Sequence, residues 1–134
     1  KINSNKTKNK IRLVKGSHII TKKLYKKDVA FTFQNTDKRI IFVIPYKKKF
    51  SLIGTTEVEV KSPENKEISK KEIQYLIRSV NNYLEKQIST KDIVDSYSGI
   101  RPLIEDFNQA SKVTRDYIFD LNIIKKLYHT IKVK

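Results

Sequence analysis

The sequence predicts one α+β domain, built from a mainly antiparallel β-sheet with one long helix packed on a face. Strand-like runs follow one another through residues 11–60, a helical pattern begins at Ser69, and strand character returns from residue 93. Strands joined by short turns pair in antiparallel fashion, and a helix inserted among them is typical of an α+β domain. The 134 residues suit a single domain, which buries about two thirds of the surface that its unfolded chain exposes.

The first strand region surrounds a glycine. Apolar residues precede and follow Gly16-Ser17-His18 between Ile11 and Ile20. This pattern predicts a strand, a bend that glycine permits, and a second extended stretch. A side chain at such a bend can face a cleft, which makes His18 a candidate for proton transfer. From the spacing alone, a histidine that caps a strand end and bonds to backbone is the favoured interpretation.

Hairpins are predicted next. Residues 29–33 have strand composition, and a turn cluster joins them to a second strand at 39–46. The five successive apolar residues 40–44 lack the alternation of a half-buried strand, so we expect this strand to be covered on both faces at the sheet centre. Another hairpin follows Pro45, and strand character resumes at 50–53 and 58–60.

A helix is predicted from a capping box, Ser69-Lys70-Lys71-Glu72, in which the serine oxygen and the glutamate accept from amide donors at the helix start. The apolar residues that follow recur at steps of three and four and form one stripe, made of Ile73, Leu76, Ile77, Val80 and Leu84. We expect a helix at about 69–87 that lies on the sheet. Further strands are predicted at 93–97 and 113–121.

The formal net charge of +15 raises the question of nucleic-acid binding. Residues 1–27 carry ten basic side chains and residues 121–134 carry four, both without an acid, whereas residues 28–120 carry fifteen basic against fourteen acidic groups. We interpret residues 1–10 as a flexible basic leader and residues 122–134 as a basic C-terminal extension. No RNA-binding aromatic pair, Gly-x-x-Gly loop or zinc-finger spacing is present, so specific nucleic-acid binding is not predicted. Nonspecific binding through the lysine-rich ends stays an alternative.

The sequence lacks the residues that several classes of protein need for their function. Without cysteine there is no disulfide and no thiolate chemistry, and two histidines 111 residues apart give no metal-ligand spacing, so no metal is predicted. The three glycines form no Gly-x-Gly-x-x-Gly fingerprint, so no cofactor-binding residue is assigned. No apolar run approaches the roughly 20 residues that cross a bilayer, and the composition is compatible with the cytoplasm.

Two of the five arginines form the best candidate site. Arg101 and Arg115 lie fourteen residues apart near predicted strand ends, in a chain where lysine supplies 24 of the 29 basic residues. The guanidinium fork binds phosphate or carboxylate in a bidentate manner, so the pair suits a small anionic molecule. Structural ion pairs with Glu105, Asp106 or Asp116 are one alternative. A small anion-binding or regulatory module without catalysis is another.

Five segments, in matching order and spacing, resemble the FAD-dependent, respiratory-type glycerol-3-phosphate dehydrogenases. They are Arg12-Leu-Val-Lys-Gly-Ser-His18, Arg39-Ile-Ile-Phe-Val-Ile-Pro45, Ile53-Gly-Thr-Thr56, Tyr97-Ser-Gly-Ile-Arg-Pro-Leu103 and Thr114-Arg-Asp-Tyr117. The resemblance runs over residues 11–121, about four fifths of the chain.

The resemblance implies that residues 11–121 correspond to most of a substrate domain whose sheet covers the flavin. In that family glycerol 3-phosphate is oxidised to dihydroxyacetone phosphate, with a hydride passing to FAD and electrons then reaching membrane quinone. Carried over by motif, His18 removes the proton of the substrate hydroxyl, Arg101 holds the developing oxyanion, and Arg115 binds the phosphate. The implied location is the cytoplasm, peripheral to the inner face of the membrane.

The family's Gly-rich FAD fingerprint and its later Gly-Gly-Lys segment have no counterpart in these 134 residues. We therefore expect this chain alone to bind no FAD and to be inactive, since hydride transfer needs the flavin. An expressed fragment, a split-gene product whose FAD-binding domain is on a separate chain, and a gene remnant all fit the sequence.

Overall fold

A computed structural model describes residues 11–104 as a six-stranded sheet with one α-helix on a face. The elements in chain order are β1 (Ile11–Lys22), β2 (Phe31–Gln34), β3 (Ile40–Tyr46), β4 (Phe50–Gly54), β5 (Val58–Val60), α1 (Lys70–Asn81) and β6 (Ile93–Ile104). The predicted α+β fold is confirmed. The strand predicted at 113–121 and both basic ends lie outside the described residues.

β1 is the centre of the sheet, and every described strand pair is antiparallel. The order begins β2-β3-β4-β1, and both hairpins among these strands are confirmed. β4 pairs with residues 18–22 of β1 and β5 with residues 13–15, so the two follow one another along one edge. β6 lies along the other edge and pairs with β1 over nearly its whole length.

β1 continues through Gly16 without a bend, so the bend predicted at Gly16-Ser17-His18 is wrong. β6 pairs with β1 throughout this stretch, and Gly16 lies directly opposite Gly99. On the other edge of β1, β5 pairs up to Lys15 and β4 from His18. Hydrogen bonding to neighbouring strands holds the backbone extended, and no glycine of the described chain has a positive φ. Backbone conformation therefore does not explain Gly16. Its missing side chain instead leaves room for the side chain of Arg101.

β3 is buried on one face only, so the prediction that both faces are covered is wrong, as is its place at the sheet centre. Ile41 and Val43 are fully buried beneath α1, whereas Ile40, Phe42 and Ile44 are 48%, 42% and 38% exposed. Consecutive apolar residues on a strand point to opposite faces, and only one of those faces meets the helix. We call the exposed residues Ile40, Phe42 and Ile44 the apolar row, and the sheet face that carries them the open face.

α1 begins with the predicted capping box. Ser69 Oγ accepts from the Glu72 amide, and the Glu72 carboxylate accepts from the Ser69 amide. The apolar stripe packs on the sheet in one core, and each buried aliphatic side chain stabilises the fold by about 1.5–3 kcal/mol. That core consists of Ile19, Leu24, Ile41, Val43, Ile53, Leu76, Ile77, Val80 and Ile88.

α1 ends at Asn81, short of the end predicted near Gln87. The Asn81 side chain donates to the carbonyl of Ile88 and accepts from its amide, both at 2.9 Å. These two bonds fold the following residues back toward the helix end, so that Ile88 enters the core. The apolar stripe therefore extends beyond the helix, because Leu84 packs on the core from the connecting segment.

β6 contains Arg101 and Pro102 in its interior, so the position of Arg101 near a strand end is wrong. Pro102 lies opposite Leu13 of β1. Among the described residues β6 pairs with β1 alone, and a proline is tolerated in a strand with one free edge. Arg101 is consequently held at a fixed register on the sheet, opposite Val14.

Candidate functional site

The open face brings together two of the three predicted site residues, His18 of β1 and Arg101 of β6. Residues directly opposite one another in an antiparallel pair point to the same face. His18 lies between Gly54 of β4 and Tyr97 of β6, and Arg101 lies opposite Val14. Because even-numbered residues of β1 share one face, the side chains of His18 and Arg101 project on the same side of the sheet.

The His18 ring lies flat between its two neighbours. It stacks on the ring of Tyr97, with centroids 4.9 Å apart and planes 8° from parallel. On the other side it lies over Gly54, where an added Cβ would come within 2.7 Å of the Cγ and Nε2 atoms of His18. Glycine at position 54 therefore makes room for this orientation of the imidazole.

Arg101 reaches across Gly16 toward the loop that follows β4. Its Nη2 donates to Thr55 Oγ1 at 3.3 Å. A Cβ on Gly16 would lie 2.9 Å from the Arg101 Cζ and 2.6 Å from Thr55 Oγ1, so glycine is needed there as well. No carboxylate among residues 11–104 forms an ion pair with Arg101. Within the described chain its positive charge is therefore available to an external anion.

His18 is held as a neutral base. Burial lowers the pKa of His18 below its usual 6.5, and the charge of Arg101 lowers it further. The Nδ1 atom is buried and has no hydrogen-bond partner in residues 11–104. An unpartnered buried nitrogen is uncommon, and it leaves open which ring nitrogen carries the proton.

A neutral base beside a cation that has no acidic partner in residues 11–104 suits the removal of a proton from a hydroxyl. The imidazole accepts the proton, and the guanidinium stabilises the negative charge that then develops on oxygen. The described chain leaves space for such a molecule beside the pair, because a Cβ added to Gly99 would meet no atom of residues 11–104 within 4 Å. In the described part of the chain no group of three or more histidine, aspartate or glutamate side chains could hold a metal ion.

Tyr97 is a site residue that was not predicted from the sequence, although it lies in the segment Tyr97-Ser-Gly-Ile-Arg-Pro-Leu103. Tyr97, Gly99 and Arg101 alternate along β6, as do Gly16 and His18 along β1. Residues two positions apart on a strand lie on the same face. This spacing would have grouped the five residues in advance if both segments had been predicted as continuous strands. Arg115, the predicted phosphate ligand, lies outside the described residues, so its role stays a prediction.

Within residues 11–104, α1 is too short and too polar to cross a bilayer, and no other helix there qualifies.

Residues 2–125 match the family described as FAD dependent oxidoreductase. The chain is 46% identical over 114 residues to the aerobic glycerol-3-phosphate dehydrogenase of Escherichia coli (strain K12), covering 84% of this chain and 23% of that protein. The D-erythritol 1-phosphate dehydrogenase of Brucella abortus (strain 2308) shows the same identity and coverage. The chain thus spans about a quarter of the length of these curated relatives.

A solved structure, the glycerol-3-phosphate dehydrogenase from Bacillus halodurans complexed with FAD, matches with a TM-score of 0.66 at 23% identity. The match covers 78% of this chain and 22% of that one, and at this identity it supports the fold. Together with the sequence matches, it confirms the resemblance to FAD-dependent glycerol-3-phosphate dehydrogenases. The chain belongs to the FAD dependent oxidoreductase family.

Proposed function

We propose that this chain forms part of the substrate domain of a flavin-dependent dehydrogenase that oxidises glycerol 3-phosphate to dihydroxyacetone phosphate. One observation carries the proposal: a histidine with a lowered pKa lies on the same open face as an arginine that has no acidic partner in residues 11–104. The similarity to the Escherichia coli enzyme supports the choice of substrate. The cytoplasmic location, peripheral to the inner face of the membrane, rests on the resemblance alone.

In this proposal the two described residues act on the hydroxyl that becomes the ketone. His18 accepts the hydroxyl proton, which a base with a pKa below 6.5 can do at neutral pH because it is mostly unprotonated. Arg101 stabilises the alkoxide that develops as the proton leaves, and Thr55 holds the guanidinium by accepting from Nη2. Arg115 is proposed to bind the phosphate dianion, for which a guanidinium fork is suited.

The open face fits a flavin placed over the substrate. As far as residues 11–104 are concerned, it offers a guanidinium without an acidic partner, an imidazole nitrogen without a hydrogen-bond partner and free space above Gly99. FAD, when bound, supplies the hydride acceptor that the side chains of this chain lack. We propose that the flavin-binding segments belong to the rest of a longer protein or to a separate chain.

A segment exchange tests the function. The 114-residue matching segment of the Escherichia coli enzyme is replaced by that of this chain, and oxidation of glycerol 3-phosphate is measured. We expect the exchanged enzyme to be active, and Arg101→Lys or His18→Asn to lower kcat/KM by about 100-fold or more. Arg78→Lys, at an exposed position on α1, is the matched control and should leave kcat/KM unchanged. Equal effects at positions 78 and 101 would contradict the proposal.

Oxidation of D-erythritol 1-phosphate is a second candidate, because the Brucella abortus relative is as similar as the Escherichia coli one. The same exchanged enzyme discriminates between them when kcat/KM is measured for both phosphates. A preference for erythritol phosphate that appears only with the segment of this chain would assign specificity to residues of this segment.

The isolated 134-residue chain tests whether it acts alone. We expect the purified protein to be colourless, to contain no flavin and to leave glycerol 3-phosphate unchanged. Saturable amide shifts at Arg101 and Arg115 on titration with glycerol 3-phosphate, without turnover, would favour the anion-binding module instead. Binding to nucleic acid that weakens steeply with salt and disappears on deletion of residues 1–10 would favour the nonspecific alternative.

A further inference from the structure

A buried carboxylate lies behind the candidate site, on the helix side of β1. Glu72 of α1 is 4% exposed. Its Oε1 accepts from Ser17 Oγ at 2.7 Å and from Thr56 Oγ1 at 2.9 Å. Its Oε2 accepts from the Ser69 amide and from Lys15 Nζ, both at 2.9 Å. A capping residue needs only the helix amides, so the bonds to the sheet call for a separate explanation.

Glu72 is charged despite its burial. Burial by itself raises the pKa of Glu72. Hydrogen bonds outweigh this effect and lower the pKa to about 2; their donors are Ser17, the amide and hydroxyl of Ser69, and Lys15. Lys15 is itself buried and also donates to the Glu67 carbonyl at 2.6 Å. A buried charge whose hydrogen bonds are all made has one favourable arrangement of its partners, and departures from that arrangement are unfavourable.

Two partners of Glu72, Ser17 of β1 and Thr56 of the loop after β4, adjoin residues of the site. Ser17 precedes His18 in β1, and Thr56 follows Thr55, which holds Arg101. Ser17 and Thr56 also bond to each other, the Ser17 amide to Thr56 Oγ1 at 3.0 Å and the Thr56 amide to the Ser17 carbonyl at 3.3 Å. Neighbouring residues of a strand point to opposite faces, so a hydroxyl fixed behind the sheet fixes the backbone that carries His18 in front.

We propose that Glu72 is a positioning residue, which holds Ser17 and Thr56 from behind the sheet and thereby fixes His18 and Arg101 on the open face. The inference rests on the proposed function for its effect on catalysis. Its structural part, the coupling between the two faces of the sheet, can be measured without any substrate.

The first experiment uses NMR on the complete 134-residue chain. The His18 ring is titrated with pH, and the ring shifts of His18 and Tyr97 report their stacking. Ser17→Ala removes the hydrogen bond between Ser17 and Glu72 without removing a charge, and we expect the His18 titration midpoint to rise toward 6.5 and the stacking shifts to diminish. Thr56→Val should instead alter the Arg101 Nε signal, because Thr56 acts through Thr55.

The second experiment uses the exchanged enzyme and separates positioning from binding. Glu72→Gln should lower kcat about tenfold or more while KM changes less than about threefold, since misplaced catalytic groups slow the chemical step. Glu85→Gln removes the same charge at an exposed position and is the control. Because Glu72→Gln could fail to fold, Ser17→Ala and Thr56→Val are measured in parallel.

The outcomes are distinct. If the His18 midpoint, the stacking shifts and the Arg101 signal match the parent protein in folded Ser17→Ala and Thr56→Val variants, the inference is overturned and Glu72 is only a helix cap. If these signals change but the exchanged parent enzyme oxidises neither phosphate, the coupling stands and the proposed function fails. If the NMR signals change and Glu72→Gln lowers kcat while Glu85→Gln does not, the result supports both the inference and the proposed function.

Discussion

At the scale of single residues, glycine decides where the large side chains of the site can lie. Gly16 and Gly54 sit beneath Arg101 and His18, and a Cβ at either position would overlap these side chains. Neither glycine has a positive φ, so backbone conformation does not explain them. Their contribution is the space that a missing side chain leaves next to a strand.

Alanine substitution distinguishes the two glycines that make room for a side chain, Gly16 and Gly54, from Gly99. We expect Gly16→Ala and Gly54→Ala to displace Arg101 and His18 and to lower the free energy of unfolding by about 1–3 kcal/mol, as overpacking does. Gly99→Ala, where the added methyl meets nothing, should raise it by about 0.5–1 kcal/mol because alanine loses less backbone entropy. Urea unfolding of the three variants measures this. A loss of stability in Gly99→Ala equal to that of the other two would contradict the site geometry.

The titration of His18 is a second property of single residues. Because its pKa is lowered in the folded state, protonation favours unfolding, and its contribution to stability falls as the pH drops below 6.5. We expect the His18 NMR midpoint to lie below 6.5 and to rise in Arg101→Met, yet to stay below 6.5 because burial is the larger cause. Arg78→Met is the control and should leave the midpoint unchanged. A midpoint insensitive to Arg101 would show that the two side chains lie apart.

At the scale of elements, the start of α1 links the helix to the sheet through Glu72. Its pKa of about 2 lies below the usual 4.5, so the folded state favours the charged form. The resulting stabilisation, about 3 kcal/mol, is complete above pH 4.5 and is lost as the pH falls from 4.5 to 2. Urea unfolding measured across that range should therefore show a steeper loss of stability in the parent chain than in Glu72→Gln. Equal slopes would mean that the pKa of Glu72 is not lowered by folding.

Local patterns predicted the start of α1 but not the course of the strands. The capping box depends on residues three positions apart, so Ser69 and Glu72 reveal it in the sequence. The continuity of β1 through Gly16 depends on pairing with residues far along the chain, 93 positions away for Ile11 and Ile104 and 83 for Gly16 and Gly99. For the same reason residue patterns indicated His18 and Arg101 only individually. The family resemblance implied that they act together, and the register of β1 and β6 shows how both come to lie on one face.

At the scale of the whole molecule, the candidate site and the apolar row share the open face. Phe42 of the row lies opposite Gly54, which in turn lies opposite His18. Exposed apolar surface next to a polar site is typical of a face that another part of a protein or a partner covers. The chain spans about a quarter of its curated relatives, so in the proposed function the rest of the protein supplies that cover.

Two neighbouring isoleucines test which face of the sheet is open. Ile41 is fully buried against α1, and Ile40 is 48% exposed in the apolar row. Threonine keeps the branched shape at both positions, so only burial differs. We expect Ile41→Thr to lower the free energy of unfolding by about 2–3 kcal/mol and Ile40→Thr to change it by less than about 0.5 kcal/mol. Ile40→Thr should also weaken self-association of the isolated chain, because it reduces the apolar surface exposed to water. Sedimentation velocity measures this. Similar losses of stability in the two variants would mean that β3 is covered on both faces after all.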